Sequence, residues 1–235
     1  MLDLHYVTFL GLGFLLGARH ALDADHVAAV STILSERPTL RASGLIGFCW
    51  GFGHTVMLLV VGLAMIGLKM TIPERVALAV EFGVGGMLVV LGASLAVTLA
   101  RERWHIHAHQ HDGATHLHFH SHGRQTDHAH THWLQASLKP LLVGMVHGLA
   151  GSAALMFVVL SSVRTAWEGA AYILVFGLGS IVGMVLVGIT ISLPLVFSAS
   201  LGRPVQLAVQ GLASLGSIGL GLAMMARIGL SEGLF

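Results

Sequence analysis

The stretch Arg19-His20-Ala21-Leu22-Asp23-Ala24-Asp25-His26 lies inside an apolar run that extends from about His5 to Leu34. Five of its eight residues are ionisable. Such residues are costly inside a hydrophobic segment, so they face a cavity or one another and mark an ion pathway. Fully helical, the run would be roughly 45 Å long, too long for a straight span. A kink, a break or a strong tilt is therefore expected at the polar stretch.

The rest of the chain agrees with a membrane reading. Only 10% of its 235 residues are charged and 55% are hydrophobic, with a mean hydropathy of +0.82. A soluble domain would carry about a quarter charged residues. Five further segments approach the ~20 apolar residues that a spanning helix needs. They run over about 43–68, 75–99, 138–161, 167–198 and 204–228. Residues 101–137 are polar and histidine-rich. Close helix packing is signalled by the pairs Gly13/Gly17, Gly47/Gly51, Gly144/Gly148 and Gly179/Gly183. The lone Cys49 permits no internal disulfide. The net charge of +1, without a basic stripe, gives no footprint for nucleic acid. The N-terminus lacks a basic region and a small-residue cleavage site, so no cleavable signal peptide is expected.

The two halves resemble each other. His20-Ala21-Leu22 matches His147-Gly148-Leu149, and Trp50-Gly51-Phe52-Gly53-His54 matches Phe176-Gly177-Leu178-Gly179-Ser180, at an offset of 126–127 residues. A weaker match relates Gly85 to Gly211. Three helices per half is an odd number, so the second half must insert upside down. The expected fold is an all-α polytopic membrane protein of about six transmembrane helices in a 3+3 inverted repeat. Residues 1–100 form the first repeat, 101–137 the histidine-rich loop and 138–235 the second repeat. With an outside N-terminus, the cytoplasmic loops hold Arg37, Arg41, Arg101, Arg103, Arg124, Lys139 and Arg203, against Lys69, Arg75, Arg164 and Arg227 opposite. The positive-inside rule then makes the histidine loop cytoplasmic and the protein a multi-pass component of the cell membrane.

On a regular helix His20, Asp23 and His26 share a face of roughly 120°, and Asp25 points away. Asp25 reaches a common ligand only if the helix unwinds; otherwise it orients an imidazole or pairs with Arg19. Imidazole with carboxylate suits Ni, Co, Zn or Fe(II). Thiolates are absent, against a Cu(I) path or a structural zinc site, and Ca or Mg would want more oxygens. His54, among Gly47, Gly51 and Gly53, is the next candidate ligand; the competing reading is a hydrogen bond to a neighbouring helix. His147 holds the repeat position of His20, but Ala150 and Ser152 replace its carboxylates. His147 and Ser180 are candidate pathway residues, as is Glu81, a counter-charge or proton-coupling carboxylate.

Alternating histidines fill the central loop: His105, His107, His109, His111, His116, His118, His120, His122, His128, His130 and His132. This composition reads as weak, promiscuous metal binding, released on protonation near pH 6.5. The alternative is a solvated linker. A buffer or sensor role is expected, not an essential one.

Arg19 to His26 resembles the signature of the nickel/cobalt transporter family: a histidine, four residues, then Asp-His. Leu45-Ile46-Gly47-Phe48 through Gly53-His54-Thr55-Val56 is similar to that family's next conserved helix. The chain is shorter than the eight-helix members, and its segment His147-Gly148-Leu149-Ala150-Gly151-Ser152 is more similar to the compact urease accessory protein H-type branch. The resemblance implies that His20, Asp23, Asp25 and His26, supported by His54, carry Ni2+, with Co2+ as second cargo, and that no resident cofactor is needed. The acidic motif of a later helix in longer members has no match here. The histidine loop is similar to that of nickel/cobalt efflux proteins, which leaves efflux as the alternative to uptake. No P-loop is present, so a gradient, the membrane potential or a partner must supply energy. An enzyme is not expected: the His-Glu-x-x-His motif of zinc proteases is absent. A membrane metal sensor is a third reading.

Overall fold

A computed structural model describes residues 4–36, 39–103, 107–111, 114–118, 137–151, 163 and 165–234. The first apolar segment is broken in two. Helix α1 (Leu4–His20) ends in a turn in which the Leu22 and Asp23 amides donate to the Arg19 and His20 carbonyls, at 2.9 and 3.1 Å. Asp23 is extended (φ −61°, ψ 143°), and α2 (Ala24–Ser35) restarts beyond it.

Five helices follow among the described residues. In α3 (Leu40–Leu68) the Thr39 hydroxyl accepts from the Ala42 amide at 3.2 Å, an N-cap. Next come α4 (Glu74–Arg103) and, after the central loop, α5 over residues 137–151 and α6 (Ala166–Ser200), capped by Thr165. Helix α7 (Arg203–Ala226) runs on into a π-helical turn, Arg227–Ser231. Within the loop, strands β1 (His107–His111) and β2 (Ala114–His118) pair antiparallel.

Among the described residues four helices are long and apolar enough to cross a membrane: those beginning at Leu40, Glu74, Ala166 and Arg203. They coincide with the second, third, fifth and sixth segments expected from hydropathy. The chain is a helical integral membrane protein, and its polarity is arranged accordingly. Leu15, Val90, Leu186, Leu212 and Leu215 are exposed, whereas His54, Ser180, Ser192 and Ser217 are buried. Water would favour the reverse; hydrocarbon around the bundle favours this arrangement.

Helices α1 and α3 both pack along α6, α4 packs along α7, and α2 lies among α4, α6 and α7. Backbones meet where side chains vanish. A Cβ at Gly17 would strike the Phe176 carbonyl, and one at Gly144 would strike that of Trp50. Likewise Gly179 abuts Phe14 and Gly53 abuts Leu141; Gly51 abuts Ile181 and Gly177 abuts Thr55. In each of these three pairs of contacts, the second is the first moved by the 126–127-residue offset. The weaker match fails this test: Gly85 packs on Gly221 and Met225, while Gly211 faces open space. Polar bonds seal the same seams. The Thr55 hydroxyl donates to the Gly51 and Gly177 carbonyls at 2.7 and 3.2 Å, and Ser214 and Ser217 donate to the Gly92 and Leu88 carbonyls.

Alanine at Gly17 or Gly144 must push two backbones apart, and overpacking of this kind costs about 1–3 kcal/mol. Alanine at Gly86, where nothing lies within 4 Å, should instead gain about 0.5–1 kcal/mol of helix propensity. Thermal unfolding in detergent should therefore fall for Gly17→Ala and Gly144→Ala and hold or rise for Gly86→Ala. Equal midpoints for all three would contradict this packing.

Candidate metal centre

The break between α1 and α2 builds the site. His20 ends α1, Asp23 occupies the N-cap of α2, and Asp25 and His26 stand in its first turn. An N-cap aspartate ordinarily accepts from the helix's first amides. Asp23 makes no such bond. Its Oδ2 accepts instead from His20 Nδ1 at 2.7 Å. Asp25 Oδ1 accepts both the His26 amide, at 2.9 Å, and the His26 ring Nδ1–H, at 3.0 Å. The positive end of α2 favours both carboxylates. On α5, His147 Nδ1–H donates to the Val143 carbonyl at 3.1 Å.

These bonds decide the tautomers. A carboxylate or carbonyl can only accept, so Nδ1 carries the proton in His20, His26 and His147, and Nε2 keeps a lone pair for a ligand. His26 Nε2 and His147 Nε2 are buried without a hydrogen-bond partner, as are both ring nitrogens of His54, Ser180 Oγ and Trp50 Nε1. Buried polar atoms are normally satisfied, and a cluster of exceptions calls for something to bind them.

The rings stand close. Centroids are 4.6 Å apart for His20 and His26, 5.1 Å for His20 and His54, 5.5 Å for His26 and His54, and 4.7 Å for His26 and His147. Two sets of donor atoms each lie within 4.8 Å of one another: His20, His26 and His54, and Asp25, His26 and His147. A cavity of about 450 Å³ opens on them, lined by His20, Asp25, His26 and His147 and, further out, by Glu81 and Arg227.

The regular-helix expectation therefore needs revision at one point. A face shared by His20, Asp23 and His26 assumes 100° per residue throughout, and the extended Asp23 resets that rotation. Asp23 turns to His20 and stays 54% exposed, while Asp25 joins the buried donors. Arg19 is exposed, and Asp25 faces histidines: it accepts from His26, and its Oδ2 lies 3.7 Å from His147 Nε2. Ser180 is buried behind Gly17. Glu81 sits 3.9 Å from Arg227, which also reaches Glu232 at 3.3 Å. His107, His109, His111, His116 and His118 fall on the hairpin, with His107 opposite His118 and His109 opposite His116. His105, His120, His122, His128, His130 and His132 lie outside the described residues. Trp50 gained no chemical role from sequence, yet its ring lies 4.9 Å from His147 and 6.1 Å from His26. Its spacing of one helical turn before His54 was the available signal.

A family model described as High-affinity nickel-transport protein (NicO) matches residues 6–200. The chain belongs to the NicO family. A urease accessory protein UreH from Bacillus sp. (strain TB-90) is 38% identical over 230 residues, covering 97% of this chain and 95% of that one. No solved structure matches the chain. The NicO match takes in every donor of the two sets, so these residues lie in a nickel-transporting membrane protein.

Because Asp23 fixes the His20 ring, Asp23→Ala should slow Ni2+ transport by about 10–100-fold, the usual effect of losing a group that orients a ligand. Asp23→Asn, whose amide oxygen can accept the same N–H, should lose less. Ni2+ flux into proteoliposomes that hold equal amounts of each variant measures both. An unchanged flux for Asp23→Ala would remove Asp23 from the site.

Proposed function

We propose that this NicO chain is a secondary permease that takes Ni2+, and Co2+ as second substrate, into the cell through an intramembrane centre of His20, Asp23, Asp25, His26 and His54, with His147, Ser180 and Glu81 along the path. The observation that carries the reading is a single one. Imidazoles whose Nδ1–H is tied off, leaving Nε2 free, converge with a carboxylate on one cavity inside an apolar bundle. Few nitrogen and oxygen donors, with room for exchange, suit a first-row dication that must also leave.

The 3+3 inverted repeat, residues 1–100 and 138–235 about the loop 101–137, is our reading of the architecture. Its support is the set of glycine contacts that repeat at the 126–127 offset. A site at the interface of two such halves is the usual place for transport. We read the N-terminus as outside and the histidine loop as cytoplasmic. Glu81 stands two turns from the start of α4 and Arg227 at the end of α7, both far from the loop, so the cavity mouth then faces outward. At the loop side, Lys139 donates to Glu36 at 2.6 Å and ties α5 to the end of α2.

An inside-negative potential drives a dication inward with about 4–5 kcal/mol per 100 mV. Uptake therefore needs no nucleotide. In sealed proteoliposomes, Ni2+ should accumulate under an inside-negative potassium potential and slow when the potential is reversed. Net loss of lumenal Ni2+ from right-side-out vesicles under the same potential would favour efflux. Turnover of a lipid or peptide without ion flux would favour an enzyme.

The loop serves as a local metal buffer. Deleting residues 105–132 should shift the apparent affinity by several-fold and leave the maximal flux near that of the full chain. Abolished flux would favour the sensor reading.

A further inference from the structure

Two sets of donors share one residue. His20, His26 and His54 come from α1, α2 and α3; Asp25, His26 and His147 come from α2 and α5. His26 belongs to both, and its Nδ1 is held by Asp25, which leaves Nε2 as its ligand atom. One Nε2 lone pair binds one ion, so the two sets cannot be filled together.

They also differ in character. The set with Asp25 carries an anion and lines the cavity. Asp25 Oδ1 is occupied by His26, and its Oδ2 faces His147 Nε2 at 3.7 Å. Both facing atoms bear lone pairs with no proton between them, because His147 gives its own to Val143. That separation is one that two donors span when each lies about 2.0–2.2 Å from a shared cation, as zinc ligands do. The other set is all imidazole; its His20 and His26 also line the cavity, and what sets it apart is His54. That histidine is fully buried, with both nitrogens unpartnered, and is not among the residues lining the cavity.

On the reading of the chain as a Ni2+ permease, we infer that the ion occupies two overlapping stations in turn, Asp25–His26–His147 at the cavity and His20–His26–His54 behind it, with His26 as the ligand it keeps during the exchange. The dication first meets the carboxylate, which offsets part of its lost hydration. It then trades Asp25 and His147 for His20 and His54 without ever lacking a protein ligand. The step neither makes nor breaks a covalent bond and moves no proton. The shared residue keeps the barrier low, since at each moment only part of the ligand shell is exchanged.

The test separates binding from transport. Purified full-length protein is titrated with NiCl2, the weak binding by the histidine loop being subtracted by comparison with a variant lacking residues 105–132, and the same variants are assayed for Ni2+ flux in proteoliposomes. His54→Ala leaves the cavity station intact, and His147→Ala leaves the deeper one. Each should still bind one Ni2+ per chain within about tenfold of the wild-type affinity, while flux falls by at least 100-fold. His26→Ala should lose both binding and flux. His54→Gln and His147→Gln, nearer in volume, replace any alanine variant that does not fold. Outside the histidine loop, the wild type should bind one ion per chain. The inference is overturned if His54 and His147 variants lose binding as fully as His26→Ala, which would mean a single centre, or if the wild type binds two ions at once outside the loop. Wild-type protein that binds no Ni2+ and supports no flux would instead sink the permease reading itself.

Discussion

Between His20 and Ala24 the chain ends one helix and begins another within a segment otherwise fit for lipid, and the polar groups this frees must be satisfied without bulk water. Unpaired backbone groups in hydrocarbon cost several kcal/mol each, so such a break survives only against protein or a cavity. Here the Leu22 and Asp23 amides bond back to α1, and Asp25 takes the His26 amide. The remaining carboxylate valences go to imidazole nitrogens. The interruption and the centre are thus one device: the two aspartates that tolerate the break also set the histidine tautomers.

That device needs walls, and hydrophobic burial cannot raise them. Lipid tails are as apolar as leucine, so helices in a bilayer associate by close packing and polar bonds. All eight residues of the small-xxx-small pairs read from sequence stand where a Cβ would meet a neighbouring helix, Gly13 against Tyr172 and Gly183 against Ala18 among them. The approach is close enough for Thr55 to bridge the α3 and α6 backbones. It also brings α5 against α3, with Gly148 on the His54 backbone and Trp50 beside His147. Glycine packing is what carries His54 and His147 to the broken helix.

Much of this was legible beforehand, for a physical reason. Hydropathy integrates over some twenty residues, so it located the segments 43–68, 75–99, 167–198 and 204–228 close to the helices Leu40–Leu68, Glu74–Arg103, Ala166–Ser200 and Arg203–Ala226. Together with the length of the run, it also flagged Arg19–His26 as the place for a kink, a break or a strong tilt. Hydropathy is blind to local backbone angle, however. The extended Asp23 is one residue wide, yet it decides which aspartate faces which histidine. The hairpin over His107–His118 was equally invisible, because strand pairing depends on a partner and the alternating histidines carry no apolar face to announce it.

By itself, then, the sequence determined the solvent this chain lives in, its family resemblance and the chemical types at its centre: imidazole and carboxylate, few in number, placed where charge is expensive. Those follow from composition and from local spacing. Only the tertiary structure decided the grouping. Donors on α1, α2, α3 and α5 meet because glycine seams draw those helices together, and His26 is shared between two trios because the break turns α2 against α1. Distances between residues more than a hundred positions apart, such as Asp25 and His147, are set by packing in three dimensions, and no periodicity along the chain encodes them.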